Sequence, residues 1–78
     1  MEPVVARVRE LLEPVLTASG LELFDVELKA GVLQVAVDRP GGVDLDAISQ
    51  AATAVSATLD QADPIPGRYT LEVSSPGL

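Results

Sequence analysis

The apolar positions at the start of the chain recur with the spacing of an α-helix. Between Pro3 and Ser19 most successive apolar residues of this pattern are three or four positions apart. One helix face therefore carries Val5, Val8, Leu12, Val15 and Leu16. Pro14 lies inside this pattern and removes one helical hydrogen bond. We therefore expect a kinked helix that ends at Gly20, a natural C-cap, with a helix that stops near Glu13 and a separate turn as the alternative.

The pattern then changes to the alternation of β-strands. Two alternating stretches, 21–29 and 32–39, flank Ala30-Gly31, which predicts a β-hairpin with Gly31 in the turn. One face of this hairpin is apolar and is predicted to be core: Phe24, Val26, Leu28, Leu33, Val35 and Val37. The other face is polar and is predicted to be exposed: Asp25, Glu27, Gln34 and Asp38.

Helical spacing returns after the break at Pro40-Gly41-Gly42. Asp44 is the predicted N-cap, and an apolar stripe follows, formed by Ile48, Ala52, Val55 and Leu59. The prolines between Asp63 and Gly67 end this helix, because the residue before a proline is driven out of helical geometry. A last strand is predicted from Arg68 to Ser74, with its apolar face formed by Tyr69, Leu71 and Val73.

The resulting order, α-β-β-α-β, predicts an α+β domain of two layers. Two helices are expected on one face of a three-stranded sheet, since a strand–helix–strand crossover is right-handed and returns to the same sheet face. The second face would be open to solvent or a partner. It would be mildly acidic, with Asp25, Glu27, Asp38 and Glu72 against Lys29 and Arg68. The pattern does not determine the order of the strands.

Composition excludes most function classes. Seventy-eight residues make one small domain, and a net charge of −7 disfavours direct binding of nucleic acid while favouring a basic protein partner. The chain has no His and no Cys, so we expect no catalytic residues, no metal site and no cofactor. No segment has the pattern of a membrane span or a signal peptide. These features predict a soluble, cytoplasmic monomer that is not an enzyme.

Two polar segments resemble ligand sites only weakly. Asp44 and Asp46, with Asp38 before them, lack the spacing of a calcium loop, and capping of the second helix accounts for the first two. Gly41-Gly42 lacks the lysine or the third glycine of a phosphate-binding loop. The element order is also one arrangement of KH-type RNA-binding domains, but the GxxG loop with which these grip nucleic acid does not occur.

The last third of the chain carries a long and specific motif. The segment DPIPGRYTLEVSSPGL, residues 63–78, closely resembles the signature of the ribosome maturation factor RimP family. The resemblance extends to Leu21-Glu22-Leu23 after Gly20, and to the strand and glycine pair before Asp44. The positions matching the signature include Asp63, Pro64, Tyr69, Leu71, Pro76, Gly77 and Leu78. Of these, we expect Tyr69 and Leu71 to pack in the core and the prolines and glycine to set backbone geometry.

The resemblance implies the N-terminal domain of this family, spanning residues 1–78, without the SH3-like second domain. It implies a non-enzymatic assembly factor for the small (30S) ribosomal subunit that binds the basic ribosomal protein uS12 and the pre-30S particle. The alternative is a KH-like module that contacts 16S rRNA. The candidates for partner or interdomain contact are Asp25, Glu27, Asp38, Glu72, Ser74 and Ser75.

Overall fold

The computed structural model describes residues 3–76 and has the predicted element order. The elements are α1 (Pro3–Ala18), β1 (Glu22–Lys29), β2 (Val32–Asp38), α2 (Leu45–Ala62) and β3 (Thr70–Ser74). The predicted α+β class is confirmed. Two of the predicted signature residues, Gly77 and Leu78, lie outside the described residues.

Helix α1 continues through Pro14 and ends at Ala18, so the alternative of a helix that stops near Glu13 is wrong. Gly20 follows in the left-handed conformation with φ of 77°. The Leu21 N–H donates to the Leu16 carbonyl oxygen at 2.8 Å, which is the long hydrogen bond of a Schellman cap. Gly20 is therefore the C-cap glycine that the sequence predicts.

Helix α2 is capped by an aspartate at each end. The Asp44 Oδ1 atom accepts a hydrogen bond from the Ala47 N–H at 2.8 Å, which confirms the predicted N-cap. Asp63 adopts the left-handed conformation with φ of 48°, and its N–H donates to the Leu59 carbonyl oxygen at 2.7 Å. The signature residue Asp63 thus ends the helix immediately before Pro64.

The three strands form one sheet in the order β1-β2-β3. Strands β1 and β2 are antiparallel, and β3 runs parallel to β2 after the crossover through α2. Helix α1 packs on β1, α2 packs on β3, and the two helices contact each other. Both helices contribute to a single apolar core on one sheet face, as predicted, and the second face is open. The strand order makes β1 and β3 the edges of the sheet.

The predicted inward position of Phe24 is wrong. Leu23 pairs with Val37 and Asp25 pairs with Ala36, so Phe24 is the extra residue of a β-bulge and is 59% exposed. The bulge shifts the alternation by one residue, and Leu23 takes the core-facing position. Phe24 therefore lies outside the core.

The buried stripe of α2 differs from the prediction at two positions, Ile48 and Ala52. It is formed by Ala51, Val55 and Leu59, while Ala52 is only half-buried. Ile48 and Leu71 are half-buried at the margin of the core rather than inside it. Three residues outside the helices and strands complete the core: Leu21, Val43 and Ile65. The connections around the sheet therefore contribute apolar surface that periodicity alone does not reveal.

The hairpin turn offers a stability prediction. Ala30 and Gly31 have φ of 52° and 77°, which is the type I′ geometry, and the left-handed conformation costs an alanine roughly 1–2 kcal/mol. Asparagine tolerates this conformation, so Ala30→Asn is expected to raise the free energy of unfolding by about 1 kcal/mol in urea denaturation. Gly31→Ala should lower it by a similar amount. A destabilising Ala30→Asn would contradict this assignment of the turn.

Candidate protein-binding face

The open face of the sheet brings polar residues from all three strands into two rows. Glu27 on β1 is in register with Gln34 on β2, and Gln34 with Glu72 on β3. The neighbouring row runs in the same way through Asp25, Ala36 and Ser74. These six residues line a shallow depression of about 180 Å³. Four of the predicted contact residues therefore lie side by side: Asp25, Glu27, Glu72 and Ser74.

The depression exists because the second row has little side-chain bulk. Ala36 and Ser74 leave space at its centre, and carboxylates from both edge strands surround that space. The Gln34 amide (Nε2) donates to Glu72 Oε1 at 3.4 Å, which links β2 and β3 on this face. The result is a polar surface that presents acceptor oxygens to an incoming partner.

Asp25 is held in place at the β1 edge. Its Oδ1 atom accepts a hydrogen bond from the Val26 N–H at 2.9 Å and contacts Arg9 Nη2 of α1 at 3.4 Å. This ion pair is exposed, and exposed pairs contribute little to stability. Its effect on the face is instead electrostatic, because Arg9 partly offsets the charge of Asp25.

The face is more acidic than the sequence predicted. Asp38 lies at the end of β2, outside the depression, and its register partner on β1 is a further carboxylate, Glu22. Arg68, which the sequence placed on this face, precedes β3 and lines a separate depression with Ser56 and Asp60 of α2. Five carboxylates thus accompany the single lysine of β1, Lys29, on the face: Glu22, Asp25, Glu27, Asp38 and Glu72.

The remaining candidates and signature residues lie away from the depression. Ser75 is only 9% exposed and follows the end of β3. Tyr69 is half-buried against the core, and burial raises the pKa of its phenol, as do the nearby carboxylates of Asp60 and Asp63 to a smaller extent. Leu71 faces the core, Pro64 is half-buried and Pro76 is exposed. The described signature residues therefore contribute mainly to packing and to the ends of elements.

The chemistry of this face favours binding. Among residues 3–76, no group of three or more carboxylates is arranged to hold a metal ion. Neither of the two described helices combines the length and apolar character needed to cross a membrane. What the face does present is a depression bordered by three carboxylates, which suits the amines and guanidinium groups of a basic protein.

Glu22 is the acidic residue of this face that sequence reasoning missed. The signal was present, because the adjacent apolar residues Leu23 and Phe24 interrupt the alternation of β1. Such an interruption is typical of a β-bulge, which re-aims the residues before it. A bulge at Phe24 would have placed Leu23 inward and Glu22 outward.

Comparison with known protein families gives one match that covers most of the chain. The sequence model of the family described as "RimP N-terminal domain" matches residues 11–78. The matched region includes the second half of α1, the whole sheet and α2. It also includes all six residues that line the depression on the open face.

Proposed function

We propose a function for this chain from the premise that it belongs to the RimP family of ribosome maturation factors. In this proposal its open sheet face binds the basic ribosomal protein uS12 during assembly of the small (30S) subunit. In this role the chain is a non-enzymatic binding module that works in the cytoplasm, where it meets the pre-30S particle. The observation that carries the proposal is the row of Glu27, Gln34 and Glu72 beside the depression, which joins acidic residues of both edge strands.

Electrostatics supports a basic protein as the partner. The net charge of −7 and the carboxylates on the open face attract a cationic protein over several ångströms and favour its docking on this side of the molecule. In this role the acidic face would also shield the positive charge of the ribosomal protein until that protein meets rRNA.

The KH-like alternative, direct contact with 16S rRNA, has support only from the element order. The open face would meet the phosphates of RNA with five carboxylates, which repel them. The glycine pair at Gly41 and Gly42 precedes α2, and Asp44, the acidic N-cap of that helix, follows one residue later. The charge of the described surface therefore favours the protein partner.

Calorimetric titration of the chain with isolated uS12 tests the proposal. The double variant Glu27→Gln and Glu72→Gln removes two charges from the face, and we expect it to weaken binding by about tenfold at low salt. The matched control is Glu10→Gln with Glu13→Gln, which removes the same charge from exposed positions of α1. The control should change the affinity by much less.

Three results would count against this proposal. Equal weakening by the two double variants would show that only net charge matters and that the open face is not the site. Absence of binding to uS12 would remove the partner. Tight binding to a 16S rRNA fragment without protein would favour the KH-like alternative.

A further inference from the structure

Strand β1 leaves one side of its backbone without a neighbouring strand. It is an edge of the sheet and pairs only with β2 among the described strands. The two-residue turn makes Lys29 and Val32 a hydrogen-bonded pair. Along an antiparallel ladder, such pairs alternate with pairs whose backbone N–H and C=O groups point away from the partner strand. By this alternation, the backbone groups of Val26 and Leu28 point to the free edge.

A hydrogen bond at Val26 confirms this direction. The Val26 N–H donates to the carboxylate of Asp25 at 2.9 Å, so it is not used in the ladder with β2. Asp25 thereby covers one edge donor, and the bulge at Phe24 interrupts the edge just before it. Both features limit indiscriminate pairing at an edge strand. They leave a straight segment from Asp25 to Lys29 for a selective partner.

An apolar groove runs beside this straight segment. It lies between α1 and β1 and has a volume of about 520 Å³. Four of its seven lining residues are apolar, with Val5 and Ala6 on the helix side and Val26 and Leu28 on the strand side. The other three are charged: Arg9, Glu27 and Lys29. The core-facing side chains of a strand added to β1 would enter this groove, because side chains of neighbouring strands share a face.

The two sides of β1 specify the chemistry of such a strand. On the open face its side chains would lie beside Asp25 and Glu27, where lysine or arginine is favoured. On the other face they would lie in the apolar groove. A second copy of this chain fits poorly, because antiparallel pairing centred on Val26 would place Asp25 opposite Glu27 of the copy, and like charges opposite each other are destabilising.

We propose that β1 and the groove beside it bind an extended segment of a partner protein, with alternating basic and apolar residues, by β-strand addition. The segment pairs with the backbone of Val26 and Leu28, displaces the Asp25 carboxylate from the Val26 N–H, and places its apolar residues in the groove. This inference rests on the proposed function in one respect, that the partner is a basic protein.

The test uses two peptides of the same composition, one of alternating lysine and valine and one with lysines and valines in separate blocks. We expect the alternating peptide to bind about tenfold more tightly. In NMR hydrogen exchange it should protect the amides of Val26 and Leu28, whereas attraction between charges alone would not. Equal affinities, or binding without protection of these two amides, would overturn the inference.

A variant pair locates the binding site. Ala6→Leu fills the groove from α1, and Ala57→Leu makes the same change at an exposed position of α2. The first should weaken binding of the alternating peptide by about tenfold and the second should leave it unchanged. Equal effects of the two would overturn the inference. So would protection of the Val26 and Leu28 amides that rises with concentration of the chain alone, because the occupant would then be a second copy.

The outcomes for this inference and for the proposed function are separable. If uS12 binds and the alternating peptide fails to protect the edge amides, strand addition is wrong and the open face remains the proposed site. If the peptide protects those amides and uS12 does not bind, the edge site holds and the ribosomal partner is wrong.

Discussion

Replacing Leu33 by alanine is expected to lower the free energy of unfolding by about 2 to 5 kcal/mol. Leu33 is in the central strand, between Leu28 of β1 and Leu71 of β3, and its side chain is fully buried. Its removal loses apolar burial and leaves a cavity that the surrounding strands cannot close. A core of this size supplies only about 3 to 5 kcal/mol in total, so the variant is expected to be partly unfolded at room temperature.

The matched control is the same substitution at the neighbouring register position. Leu71 on the edge strand β3 is only half-buried, so Leu71→Ala should cost clearly less than Leu33→Ala. Urea denaturation followed by circular dichroism measures both. Equal losses at the two positions would show that the core is centred nearer β3 than the structure places it.

Replacing Pro14 by alanine is expected to raise the free energy of unfolding by about 1 to 3 kcal/mol. Pro14 lies inside α1 and is exposed, yet proline costs about 3 kcal/mol relative to alanine in a helix interior. It has no N–H for the carbonyl of Glu10, and its ring crowds that turn. Alanine restores the hydrogen bond and removes the crowding.

Thermal and urea unfolding check this prediction, with Thr17→Ala as the control. Thr17 is also exposed on α1, and its replacement should change stability by only a few tenths of a kcal/mol. A Pro14→Ala variant that is less stable than the parent chain would contradict the expectation. It would mean that the proline ring contributes contacts that outweigh its cost to the helix.

Two errors of the sequence prediction have local causes, and one has a tertiary cause. Strict alternation through β1 predicts Phe24 in the core, whereas the extra residue in the strand reverses the sides before Asp25. The helical spacing between Ile48 and Val55 is compatible with either Ala51 or Ala52 in the buried stripe. The packing of α2 against α1 and β3 decides between them, and periodicity contains no information about that packing. Arg68 is predicted on the open face because the sequence pattern starts the last strand at Arg68, two residues before β3 begins at Thr70.

The sequence by itself determined the elements, their order and the function class. Hydrophobic periodicity, helix caps and turn residues depend on interactions between residues that are close in the chain. The roles of Asp44 and Gly20 as helix caps and of Gly31 in the hairpin turn therefore follow directly from the sequence. The tertiary structure alone decided that β2 is central, and hence that Glu27, Gln34 and Glu72 form one row and that β1 keeps a free edge. Strand order depends on how α2 packs its buried stripe across the sheet. That packing joins residues far apart in the chain, which no local pattern records.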